Sequence, residues 1–93
     1  MKTSPRGQKL ASVIEQALGP ILQRYTNPED FGHLTIVDVQ VSGDLGVVDV
    51  YIQSIGGPAS YLRKLQKLTS KISRELLNHI EVRRACILRF KSL

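Results

Sequence analysis

The apolar residues of this chain recur first with a period of 3.6, then of 2, then of 3.6 again, and finally of 2. A helix buries a stripe and a strand buries alternate residues, so such a chain has to lay helices against a sheet. Leu10, Val13, Ile14, Ala17, Leu18, Ile21 and Leu22 keep the i, i+3, i+4, i+7 spacing and predict a helix over residues 8–24. Ser4-Pro5 suits its start. Pro20 removes one backbone hydrogen bond inside it; the apolar register runs on past Gly19-Pro20, so a kink is expected there. Thr26 to Gly32 has the composition of a loop. His33 to Ser42 alternates and predicts a strand with Val37, Val39 and Val41 inward and Leu34, Ile36, Asp38 and Gln40 outward. Gly46 to Gln53 alternates again, with Val48, Val50 and Ile52 inward, and the short turn at Gly43-Asp44 makes the two runs an antiparallel hairpin.

After a second loop at Ser54 to Pro58 the helical period returns and lasts to about Ile80. Leu62, Leu65, Leu68, Ile72, Leu76 and Ile80 form the stripe. Thr69 and Ser70 compete for backbone hydrogen bonds, so a bend is expected at that pair. Ala85 to Phe90 predicts a third strand with Cys86, Leu88 and Phe90 inward. The expectation is an α+β fold: a single small domain over residues 1–93, with 1–5 flexible, a three-stranded sheet and the helices on one face. Strand order is left open.

With 93 residues the chain holds one core. The lone Cys86 excludes an intramolecular disulfide framework and a multi-cysteine zinc site. No apolar run is long enough to span a membrane, and the N-terminus lacks the apolar core of a signal peptide. His33 and His79 have no metal-ligand spacing to Cys86 or to paired carboxylates. No G-x-S-x-G, Ser-x-x-Lys or phosphate-cradling glycine motif occurs. An enzyme, a cofactor, a metal and a small-molecule substrate are therefore not expected.

Charge carries the functional signal. The net charge is +5, distributed in blocks. Residues 25–60 contain no Lys or Arg and five acids (Glu29, Asp30, Asp38, Asp44, Asp49), whereas the segments on either side are basic. A basic face and an acidic face are expected. On a continuous helix, Arg63, Lys64, Lys67, Lys71 and Arg74 fall within about 100° of arc, nearly opposite the apolar stripe. Five cations with Glu75 as the one acid among them suit a phosphate backbone; a solvated helix face is the plainer explanation. Tyr51 is the one aromatic well placed to stack a base, so a structured RNA or phosphate surface fits better than a splayed single strand.

Several strings resemble the ribosome-binding factor A family. Leu34-Thr35-Ile36-Val37-Asp38-Val39-Gln40-Val41-Ser42-Gly43-Asp44-Leu45 is similar to that family's V-T-V-T-D-V-x-V-S-x-D-L. Lys9-Leu10-Ala11 with Ile14 resembles R-V-A-x-x-I, Asn27-Pro28 its D-P, Val50-Tyr51 its V-Y, Ile72 its I-R, Arg83 the end of R-L-R, and Leu88-x-Phe90 the closing L-x-F. The sequence departs at Leu68-Thr69-Ser70, where the family has A-x-G, at Cys86 in place of a proline, at Glu81 and at Gly19-Pro20. The resemblance implies a divergent member with a KH-like fold, in the order α-β-β-α(kinked)-α-β. It implies a monomeric, cytoplasmic, non-enzymatic assembly factor that binds the small (30S) ribosomal subunit and its rRNA and assists late 16S rRNA maturation. The expected contacts are Arg6, Lys9, Arg63, Lys64, Lys67, Lys71, Arg74, Arg83 and Arg84. Two alternatives stay open: a general nucleic-acid-binding module (DNA-coating protein or RNA chaperone), and a protein-interaction module that uses the acidic hairpin.

Overall fold

The computed structural model describes residues 5–44, 46–79 and 87–92. The order of elements is α1 (Pro5–Tyr25), α2 (Pro28–Phe31), β1 (His33–Val41), β2 (Val47–Ile55), α3 (Tyr61–Lys67), α4 (Thr69–His79) and β3 (Ile87–Ser92). β2 is the central strand, antiparallel to β1 and parallel to β3. A parallel neighbour requires a crossover, and α3 and α4 provide it. The expected flexibility of residues 1–5 and the inward position of Cys86 fall almost wholly outside the described residues.

The core is one cluster on one face of the sheet. Ile14, Leu18, Ile21 and Leu22 of α1, Leu65 of α3, and Ile72 and Leu76 of α4 meet Val39, Val41, Val48, Val50, Ile52, Leu88 and Phe90 of the strands. These are the alternate strand residues and the helical stripes, so the period switch set the architecture. The opposite sheet face carries Asp49, Tyr51, Arg89 and Lys91 in adjacent register and has no helix over it among the described residues.

Several details differ from the sequence expectation, among them β2, which takes in Ser54 and Ile55 of the expected loop. α1 begins three residues earlier, at Pro5, and, in keeping with the apolar register that runs past Gly19-Pro20, it continues as helix through the exposed Pro20. The expected loop after it contains α2, a single turn. Asn27 caps that turn by accepting from the Asp30 N–H (2.8 Å), and Phe31 at its end is buried. On β1 a bulge between Ile36 and Asp38 exchanges the two faces. Val37 is consequently 39% exposed, and Leu34 and Ile36, expected outward, pack on the core; Val39 and Val41 beyond the bulge point inward as expected. The third strand runs on to Ser92, two residues past the expected end at Phe90, and its expected start at Ala85 and Cys86 lies outside the described residues.

The hairpin turn is held by side chains. Ser42 Oγ donates to Asp44 Oδ1 (2.7 Å), which also accepts from the Gly46 N–H (3.0 Å). Ser42 Oγ in turn accepts from the Val47 N–H (2.9 Å). At the other end of the sheet Gly32 (φ +71°) lies against Gly57, where a Cβ on either would strike the other's surroundings. Ser54 Oγ donates to the Phe31 carbonyl there (2.6 Å), tying α2 to the end of β2.

Candidate nucleic-acid interface

The long helical segment is two helices. Leu68 ends α3, its N–H donating to the Leu65 carbonyl (2.9 Å) in a tight turn, and its own carbonyl accepts from Ile72 (3.0 Å) to begin α4. The break comes one residue before Thr69-Ser70, where the bend was expected. It is a packing requirement: Leu65 of α3 and Ile72 and Leu76 of α4 all reach the core, while α3 lies against α2 and β3 and α4 lies against α1.

The break corrects the single cationic arc. Arg63, Lys64 and Lys67 stand on α3, Lys71 and Arg74 on α4, and all five are exposed. None of them makes an ion pair among the described residues. Two short cationic segments thus meet at Leu68, with Lys67 and Lys71 on either side of the junction. Lys9 is exposed on α1, a separate element. Arg6 lies in the first turn of α1. Arg83 and Arg84 lie outside the described residues.

Glu75, the one acid on these two helices, is already engaged. Its carboxylate pairs with the Arg24 guanidinium of α1 and accepts a hydrogen bond from Tyr25, which raises the Tyr25 hydroxyl above the ordinary tyrosine range. His79 Nδ1 sits 2.9 Å from the Glu75 carbonyl, one turn back on α4. The charge of Glu75 is therefore spent on fastening α4 to the end of α1. Sequence reasoning placed Arg24 only in a charge count, because a pairing across 51 positions leaves no local signal.

The acidic block does not form one face either. Asp49 takes two hydrogen bonds from Arg89, at Nε (2.7 Å) and at a terminal nitrogen (3.1 Å), with Lys91 Nζ at 3.4 Å. The Arg89 hydrogen bonds hold the Asp49 carboxyl below the usual carboxylate range, and Asp49 raises Arg89 in return. Register explains the meeting: Asp49 faces Arg89 directly, and Lys91 follows two residues on. The open sheet face is thereby neutralised at its centre, and the bases of α3 and α4 stand uncompensated among the described residues.

Helices over one face of a mixed three-stranded sheet, the last two consecutive and broken at Leu68, define a small α+β domain. The profile of ribosome-binding factor A matches residues 6–92. The factor of that name from Chlorobium phaeobacteroides is 35% identical over 82 residues, taking in 82% of this chain and 70% of that one. The one from Chlorobium limicola is 37% identical, over 74% of this chain and 66% of its own length. The chain belongs to the ribosome-binding factor A family. The crystal structure of the Thermus thermophilus factor superposes with a TM-score of 0.82 at 24% identity, covering 92% of this chain and 94% of that one, and shows the shared fold. A homology model of the Thermus thermophilus factor, fitted into a cryo-EM map of a 30S complex, superposes with a TM-score of 0.76 at 26% identity and covers 87% and 88% of the two chains.

Proposed function

We propose that the protein is a non-enzymatic assembly factor that binds the small ribosomal subunit through its rRNA and assists late maturation of that RNA. Family membership over residues 6–92 carries this conclusion. The relative fitted into a 30S complex supports the choice of partner. The exposed cations of α3 and α4 support contact with phosphate.

Arg63, Lys64, Lys67, Lys71 and Arg74 hold the factor on structured rRNA; Arg6, Lys9, Arg83 and Arg84 extend the surface. No bond is made or broken. A factor that binds one rRNA conformation more tightly than another shifts the population toward it by that difference in affinity. Such a factor works as a monomer, without cofactor, in the cytoplasm where small subunits are assembled.

The test is co-pelleting with purified small and large subunits. Retention on small subunits alone supports the assignment. Equal retention on both, or equal binding to duplex DNA, favours a general nucleic-acid-binding module instead.

A further inference from the structure

One edge of the sheet is open. β1 pairs with β2 on one side, and among the described residues no strand lies on the other. The Ser42 N–H donates to the Val47 carbonyl (2.9 Å), and in an antiparallel ladder such residues alternate with ones that face away. Asp38 and Gln40 therefore bond toward β2, while Val39 and Val41 turn their backbone groups outward. Asp38 Oδ1 accepts from the outward Val39 N–H (2.9 Å), and Asp38 Oδ2 accepts from Gln40 Nε2 (3.2 Å). The Asp38 carboxylate is thus pinned along the edge.

A groove of about 380 Å³ runs beside this edge, between β1 and the first half of α1. Ala11, Ser12 and Glu15 line one wall, and Asp38, Val39 and Gln40 the other. Glu15 is exposed and makes no ion pair among the described residues, and no base lines the groove. Unlike Asp49, neither carboxylate has a cation among the described residues.

We propose that this edge docks an extended, arginine- and lysine-rich protein segment, which lies beside β1 and sets its cations against Glu15 and Asp38. Two features select such an occupant. An uncharged strand gains little, because Asp38 already occupies the Val39 N–H and shortens the ladder on offer. A cationic strand keeps the Val39 carbonyl and the Val41 backbone groups as partners and adds two charge-assisted contacts. RNA is repelled by the same carboxylates. The choice of a protein occupant rests on the small-subunit assignment: in a ribonucleoprotein particle the chains that carry dense positive charge are proteins.

The probe is a peptide as long as β1, 9 residues, composed of Arg, Lys and Val. It is titrated into the isotope-labelled full chain at physiological salt, with amide shifts recorded. Shifts are expected at Ser12, Glu15 and Asp38 to Val41, and not along α3 and α4. Glu15→Lys weakens the peptide by about tenfold, and Asp38→Asn, which keeps the side chain's size, weakens it too. Glu29→Lys, the same charge change on α2, leaves affinity within about twofold. No binding, shifts centred elsewhere, or an equal loss with Glu29→Lys overturns the proposal. Small-subunit binding by Glu15→Lys is measured in parallel. Retained subunit binding with no peptide site refutes the groove alone, and loss of subunit binding by the wild-type chain refutes the functional assignment separately.

Discussion

Reversal of Lys64, Lys67 and Lys71 to Glu separates the cations' role in binding from any role in folding. All three are exposed and unpaired among the described residues, so no buried contact is lost. Lys64 and Lys67 lie in the last turn of α3, where a cation favours the helix dipole, and their reversal costs up to about 1 kcal/mol each. Lys71 lies in the first turn of α4, where an acid is favoured, and its reversal returns a similar amount. The net change in stability stays within about 1 to 2 kcal/mol, and urea denaturation should show a folded protein with an unchanged slope. Binding responds differently. If each lysine neutralises one phosphate, the slope of log affinity against log salt falls by about 2 to 3 units. Between roughly 50 and 200 mM salt the wild type then loses about 15- to 60-fold more affinity than the variant. Affinity for small subunits measured across that range is the assay. An unchanged slope in a folded variant would show that the cations form only a solvated face.

Three further outcomes follow from the fold. Val37→Thr should change stability by less than about 0.5 kcal/mol, and Val39→Thr should cost about 1–3 kcal/mol, because the bulge leaves the first exposed and the second buried. Equal costs in thermal denaturation would place the bulge elsewhere. Gly32→Ala should cost more than about 1 kcal/mol, since its positive φ and its approach to Gly57 both resist a Cβ; an unchanged melting temperature would refute that packing. The carboxyl of Asp49 titrates below its ordinary value in the folded protein, so its pair with Arg89 stabilises above about pH 4 and is lost as pH falls through the lowered value. Asp49→Asn should therefore destabilise at neutral pH, with the difference shrinking in acid; a penalty independent of pH would contradict the ion pair.

The architecture was legible because every core position on α1, β2, α3 and α4 follows its element's period without interruption. Val48, Val50 and Ile52 are an example, buried just where alternation placed them. The bulge at Val37 was not legible, because one extra residue reverses a strand's faces and leaves the composition unaltered. α2 left a signal that loop composition obscured: Asn27 as cap, Pro28 at the first helical position, and Glu29 and Asp30 in the first turn. The break at Leu68 followed from tertiary packing, since a leucine in register with a helical stripe gives no reason to stop. On the candidate surface, the exposure of the five helical bases was readable from their opposition to the apolar stripe. Their division between two helices, and the removal of Glu75 and Asp49 from the charge balance by Arg24, Arg89 and Lys91, depend on partners far apart in sequence.

The most direct test of the central claim is sedimentation of cell extract through a sucrose gradient, with the protein followed by immunoblot. Co-migration with free small subunits and absence from 70S particles are expected, with a shift to the top of the gradient for the triple Lys→Glu variant. Migration of the wild-type protein at the top of the gradient, or equally with large subunits and 70S particles, would contradict it.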